Sequence, residues 1–222
     1  MYKALKNIDL FDSPQCDRLA TQMAEGRYLL PISTMATGQA SLVQLWEDGY
    51  RGWIKSGEWR YLQAVGAGNY QMTLLDAATI QARLPQVLQH IQRAQAQPHA
   101  YLWGGTVPPH YDCSGLMQWA FAAVGVWIPR DAYQQEAFAV TVAPESAQLG
   151  DLIFFGRERA THVGFYLGDG EYIHSSGKDW GHNGIAISSL TGDDPVSQRY
   201  KTELRGWGRI VRNLQGGDYC VP

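Results

Sequence analysis

Residues 111–116 read Tyr-Asp-Cys-Ser-Gly-Leu, and the pattern that follows them decides the architecture of the larger half of the chain. Asp112 is a good N-cap. Leu116, Ala120, Ala123 and Val124 recur on one apolar face, and Gly125 suits the position just past a helix end, so the spacing predicts a helix opening at Cys113. Asp131 caps a further short helix, "AYQQEAF". After Gly150 the pattern changes to short apolar runs, "DLIFF", "THVGFYLG", "EYIHSS" and "GIAIS", which read as strands. A helix carrying a thiol, followed by an antiparallel sheet, is an α+β arrangement. The preceding "YLWGGTVPPHYD" reads as a loop, because Gly104-Gly105 and Pro108-Pro109 both interrupt regular structure.

Upstream the signals differ. "LFDSP", "RYLLPI", "SLVQLW", "GYRGWI" and "YLQAV" are short β-prone runs separated by Gly, Pro and Asp, the pattern of a small barrel or sandwich. From Asp76 the period becomes helical. Asp76 caps a helix over 77–83, Pro85 fits the first turn of a second one, and Val87, Leu88, Ile91 and Ala94 share a face. The expected organisation is a β domain over 1–75, a helical linker over 76–100 and the thiol-bearing domain over 101–222.

The 222 residues are 45% apolar and carry a net charge of −3, with no block of Lys or Arg that would suit nucleic acid or an acidic membrane surface. Residues 1–19 lack the apolar centre of a secretion signal, and the near-apolar run over 119–128 is too short to span a bilayer, so a cytoplasmic chain with no membrane partner is the expectation, and the chain is expected to be a monomer. The three cysteines, Cys16, Cys113 and Cys220, are widely spaced and suggest neither a disulfide framework nor a structural zinc site.

A cysteine at a helix start meets unpaired N–H groups and the positive end of the helix dipole, which favour the thiolate, while the adjoining Asp112 carboxylate opposes it. His162 opens a strand, and His174 follows the Asp169-Gly170 turn signal. Strand geometry sets a condition on this pair. A two-residue loop with regular pairing would put His174 on the face away from His162, whereas an odd loop count puts both on one face. On a shared face, His162 can act as base and His174 can fix its tautomer. Tyr101 is either a donor to an oxyanion, beside the Cys113 N–H, or a packing aromatic next to Trp103. A zinc reading of Cys113, His162 and His174 lacks closely spaced ligands. No role is assigned to His90, His99, His110 or His182.

The stretches "YLWGG", "DCSGL", "IPRDAYQQ", "GDLIFF", "THVGFYLGDG" and "YIHSSG", in this order, resemble the NlpC-type family of bacterial cell-wall cysteine peptidases over residues 101–212. The resemblance implies a reduced papain-like fold with Cys113 as nucleophile, His162 as base, His174 as the third polar residue and Tyr101 beside the thiolate, and no cofactor or metal. It implies cleavage of the amide between γ-D-glutamate and a diamino acid in murein peptides. Residues 1–75, most visibly "GYRGWI", resemble the bacterial SH3-like β-barrel often joined to these peptidases. The whole is most similar to cyanobacterial γ-D-glutamyl-diamino-acid endopeptidases of murein recycling. There the SH3-like domain narrows the groove to peptides with a free N-terminal L-alanine. By that likeness Asp112, Ser114 and Tyr50 would hold the α-ammonium, with Trp53 and Tyr61 as alternatives to Tyr50, and Arg130 or Tyr133 would line the groove. The rival readings are a thiol amidase or acyltransferase acting on another amide or ester, and a non-catalytic murein-binding protein.

Overall fold

The structure is a computed structural model and describes residues 1–33, 39–66, 70 and 73–214, the side chain of Trp180 excepted; Cys220 lies outside the described residues. The N-terminal strands are β1 (Tyr2–Ala4), β2 (Ile8–Phe11), β3 (Leu19–Met23), β4 (Tyr28–Ser33), β5 (Ala40–Leu45), β6 (Arg51–Lys55) and β7 (Leu62–Ala64). They form one sheet in the order β3-β2-β6-β5-β4-β1-β7. Ile8, Leu10, Met23, Leu29, Val43, Leu45 and Ile54 are directed inward at alternating positions and build a small core of their own. This is the SH3-like domain. Two of its strands carry little sequence signal. β1 has three residues, and β3 buries Thr21 on its inner face, which breaks the apolar alternation.

The helical stretch differs from the two helices expected. It is a single helix, α1 (Ala77–Gln95), with Pro85 inside it and Asp76 accepting the Thr79 N–H at 2.7 Å. Pro85 sits on the exposed face, where water can reach the carbonyl that its missing N–H leaves unpaired. The opposite face, Ile80, Leu84, Val87 and Ile91, is buried in the larger core together with Leu116, Ala120 and Phe121. That burial holds the helix together through the proline.

The larger body contains the hairpin β8 (Thr106–Val107) and β9 (His110–Tyr111), then α2 (Cys113–Ala122) and α3 (Ala132–Phe138). Its strands are β10 (Val140–Val142), β11 (Leu152–Phe155), β12 (His162–Gly168), β13 (Glu171–Ser176), β14 (Gly184–Ser189) and β15 (Leu204–Arg209), with α4 (Pro195–Thr202) before the last. These six strands pair antiparallel in the order β10-β15-β11-β12-β13-β14. Leu152, Phe154, Val163, Phe165 and Ile173 face α2, while Ile153, Phe155, Tyr166 and Tyr172 face Tyr200 of α4. With helices on both sides, the central strands read as continuous apolar runs. β15 enters the sheet between β10 and β11 on a Gly-interrupted stretch, "LRGWGR", which does not announce itself as a strand. The fold is the α+β arrangement expected, an SH3-like domain followed by a papain-like one.

Polar contacts fasten the two bodies together. Gln22 of β3 and Thr106 of β8 exchange hydrogen bonds of 2.8–3.1 Å. Asp48 accepts from Gln118 of α2 and from Arg27, both at 2.9 Å, and Arg27 also pairs with Glu47 and lies over the Trp127 ring at 4.7 Å. Thr21 accepts from Arg130 at 2.9 Å. The SH3-like domain is therefore a wall of the cleft above Cys113.

Candidate active site

Cys113 is the first residue of α2, 6% exposed. Asp112 caps the helix by accepting the Gly115 N–H at 2.7 Å. Gly115 is required here, because a Cβ would collide with the carbonyl oxygen of Gly105. The loop carrying Tyr101 can thus lie directly against the start of α2, with Tyr101 bridging Tyr111.

The two histidines stand on the α4 side of the sheet, and the register explains why. Phe165 pairs with Ile173 and Tyr166 with Tyr172, but Gly168 pairs with Glu171, so a bulge falls at Leu167. Asp169 and Gly170, with φ of 51° and 82°, make the tight turn. The turn itself has two residues, and the bulge restores the odd count that places His162 and His174 on one face. Gly164 lies between them, where a Cβ would sit 3.3 Å from that of His174. His162 Nε2 and His174 Nδ1 are 2.7 Å apart. Beyond them, His174 Nε2 is 3.0 Å from Ser188 Oγ, which is 3.1 Å from His182 Nε2. If His162 Nδ1 is to accept a proton, Nε2 must donate to His174, and His174 must donate to Ser188; the Ser188 hydroxyl can then either donate to His182 or accept from it.

Cys113 and His162 meet around the end of the sheet. α2 covers one face and the histidines stand on the other, so only the first residue of β12 can reach over. The Val163 N–H lies close enough to the Cys113 sulfur to favour its thiolate, which brings the thiol to the residue next to His162. Burial and the Asp112 carboxylate push the thiol up to about 12, against the pull of the Val163 and Ser114 N–H groups. Burial takes His162 down to about 3. His174 is lowered as well, by burial and by its histidine neighbours. The helix start does not outweigh burial, so the free cleft holds a neutral thiol and a neutral imidazole. The thiolate must form as the proton passes to His162. Tyr101 is kept neutral by burial and then by Cys113 and Asp112, so its phenol remains a donor beside the sulfur.

Five residues take parts that the sequence reading did not give them. Arg130 does not line the groove. It is a buried clamp, 2% exposed, that donates to Asp112 at 2.6 and 3.1 Å and to Ser114 Oγ at 2.9 Å. Tyr200 stacks on the His162 ring at 4.3 Å, with its hydroxyl 3.4 Å from Nδ1. No apolar periodicity marks it in "SQRYKTE". Asp131 was absorbed by its capping role, yet it lines the cleft with Tyr50. Ser188, on a strand that reads only as apolar, and His182, in the loop before it, extend the histidine network. Elsewhere Ser175 donates to the Tyr111 carbonyl at 2.8 Å, and Ser176 Oγ is buried without a protein partner.

A cavity of about 290 Å³ lies over Cys113. Tyr101, Asp112 and Ser114 line it on one side, Asp131 and Tyr133 on another, and Tyr50 of the SH3-like domain closes over it. Burial raises both the Tyr50 phenol and the Asp131 carboxyl, each also through the negative charges nearby. No group of three or more metal-ligating side chains occurs among the described residues, and no helix among them is long and apolar enough to cross a membrane.

The NlpC/P60 family model matches residues 98–203, and that of the bacterial dipeptidyl-peptidase Sh3 domain matches residues 10–58. Residues 98–203 belong to the NlpC/P60 family. The chain is 36% identical over 129 residues to the bifunctional muramidase/DL-endopeptidase CwlT of Bacillus subtilis, covering 56% of this chain and 36% of that protein. It is 36% identical over 121 residues to the probable endopeptidase p60 of Listeria seeligeri, covering 53% of this chain and 21% of that one. The chain thus spans between about a fifth and a little over a third of these relatives. The crystal structure of an NlpC/P60 family protein from Bacillus cereus is similar over 95% of this chain and 63% of its own, with 22% identity and a TM-score of 0.50, a likeness of fold that takes in the SH3-like part.

Proposed function

We propose that this chain is a cysteine endopeptidase that cleaves the amide between γ-D-glutamate and a diamino acid in murein stem peptides with a free N-terminal L-alanine. Cys113 attacks the γ-carbonyl as its proton passes to His162. Tyr101 and the Cys113 N–H take the oxyanion. Imidazolium His162 protonates the departing amine, and water, deprotonated by the same ring, then opens the thioester. His174 holds the ring in the tautomer this needs. The name DL-endopeptidase of the CwlT relative agrees with a cut between a D- and an L-residue.

One observation carries the substrate reading. The cavity over Cys113 is bounded by the Asp131 carboxylate and the Tyr50 phenol. Arg130 balances the charge of Asp112 and Arg18 pairs with Asp12 at 3.7 Å, while Arg159 also lines the cavity, so Asp131, beside Tyr50, is the carboxylate that an α-ammonium would meet, and Asp112 and Ser114 frame the pocket floor. A soluble stem peptide, the kind released during wall recycling in the cytoplasm, has such an ammonium; a stem still joined to its sugar does not. The test is mass spectrometry of L-Ala-γ-D-Glu-L-Lys and its N-acetylated form after incubation with the protein. The reading expects L-Ala-D-Glu and free lysine from the first and no turnover of the second. Equal cleavage of both would remove the ammonium pocket from the account.

A further inference from the structure

A second cavity, of about 210 Å³, adjoins the first across Tyr101, Trp103 and Thr161. Its wall includes His162, Tyr200 and Glu203 but not Cys113. The direction of the reaction follows from this. The proton that releases the amine comes from His162, so the amine fragment must lie on the imidazole side of the sulfur and the acyl fragment on the other. The cavity over Cys113 receives the acyl half, and the one beside His162 receives the amino acid that leaves.

Glu203 is the acidic side chain of this second cavity, and no lysine or arginine is among the described residues lining it. Its position is fixed from two sides. It follows α4 directly, three residues after Tyr200, and its carbonyl accepts the Gly156 N–H at 2.7 Å. Its carboxylate is among the groups that raise the Tyr200 phenol, after burial, Cys113 and Tyr172, which places it toward the His162 end. Arg157 approaches it only to 3.8 Å from a side chain that is 87% exposed, so water screens that pairing.

We propose that Glu203 recognises the distal ammonium of the diamino acid released by the reaction, and so selects a leaving group with a cationic side chain over a neutral one of similar length. The assignment rests on the peptidase reading above. The experiment compares L-Ala-γ-D-Glu-L-Lys with L-Ala-γ-D-Glu-L-norleucine, in which a methyl group ends the side chain, for the wild-type protein and for Glu203→Gln. Each protein is scored by the ratio of its two kcat/KM values, so any loss of folded protein cancels. The expected wild-type ratio is about tenfold in favour of lysine, the size of one charge-assisted hydrogen bond at a partly exposed site, and it collapses toward one in Glu203→Gln. A wild-type ratio near one, or a ratio unchanged by the substitution, overturns the role of Glu203 and leaves the peptidase reading in place. Failure of the wild-type protein to cleave either peptide overturns both.

Discussion

Replacing His174 by alanine removes the acceptor that holds His162. The Nε2–Nδ1 separation is 2.7 Å and His174 is fully buried, so no water can take its place at once. The bond is worth more once His162 is an imidazolium, since a charge-assisted hydrogen bond is about twice as strong as a neutral one. The charged bond is worth about 1.5–3 kcal/mol and the neutral one about half of that, so the extra stabilisation lost in the transition state is about 0.8–1.5 kcal/mol, or roughly 4- to 12-fold in kcat, with KM little changed. The folded state also loses a buried ring, and stability should fall by roughly 2–4 kcal/mol. His174→Asn separates the two effects. It keeps an acceptor oxygen and should retain kcat to within about twofold of the wild-type value. Steady-state kinetics on the lysine tripeptide, alongside urea denaturation of each variant, give both quantities. A folded His174→Ala protein with kcat within about twofold of wild type would refute the orienting role. Equal losses in the alanine and asparagine variants would assign His174 to packing alone.

The raised thiol predicts how Cys113 alkylates. With the folded value near 12, the thiolate fraction grows tenfold per pH unit, so the iodoacetamide rate should climb with unit slope from pH 6 to 9; a flat profile from pH 5 to 8 would instead mean a preformed thiolate–imidazolium pair. Arg27→Met leaves Glu47 and Asp48 buried without their cation, at a cost of about 3–5 kcal/mol in urea denaturation, and a change below about 1 kcal/mol would show that this junction between the domains is not held by charge. Asp131→Asn keeps a helix-capping side chain but removes its charge. It should reduce kcat/KM for the free-amine peptide by about 10- to 150-fold, and an unchanged value would move ammonium recognition away from Asp131.

The helix start at Cys113, the four strands after Gly150 and the SH3-like unit were legible because each rests on local chemistry: a cap, a turn pair, or an apolar run of one period. The parity condition on the hairpin could be stated from the strand period, but the bulge at Leu167 that meets it has no residue signature. Pro85 was misread because proline usually opens a helix, and only the long-range burial of Ile80, Leu84 and Ile91 explains how α1 continues through it. The least legible residues were those whose roles arise across the fold. Arg130 reaches Asp112 from the loop between α2 and α3, and it reaches Thr21 in the other domain. Asp131 caps a helix and faces the cleft at once. Tyr200 reaches His162 over 38 residues of chain.

The central claim is that the Cys113 sulfur forms the bond to the acyl group. Rapid acid quenching of the protein with L-Ala-γ-D-Glu-L-Lys, followed by intact-mass and peptide-level mass spectrometry, tests it directly. The account predicts an L-alanyl-D-glutamyl thioester on the peptide containing Cys113, and neither adduct nor turnover in Cys113→Ala. Release of lysine by a folded Cys113→Ala protein at the wild-type rate would contradict it.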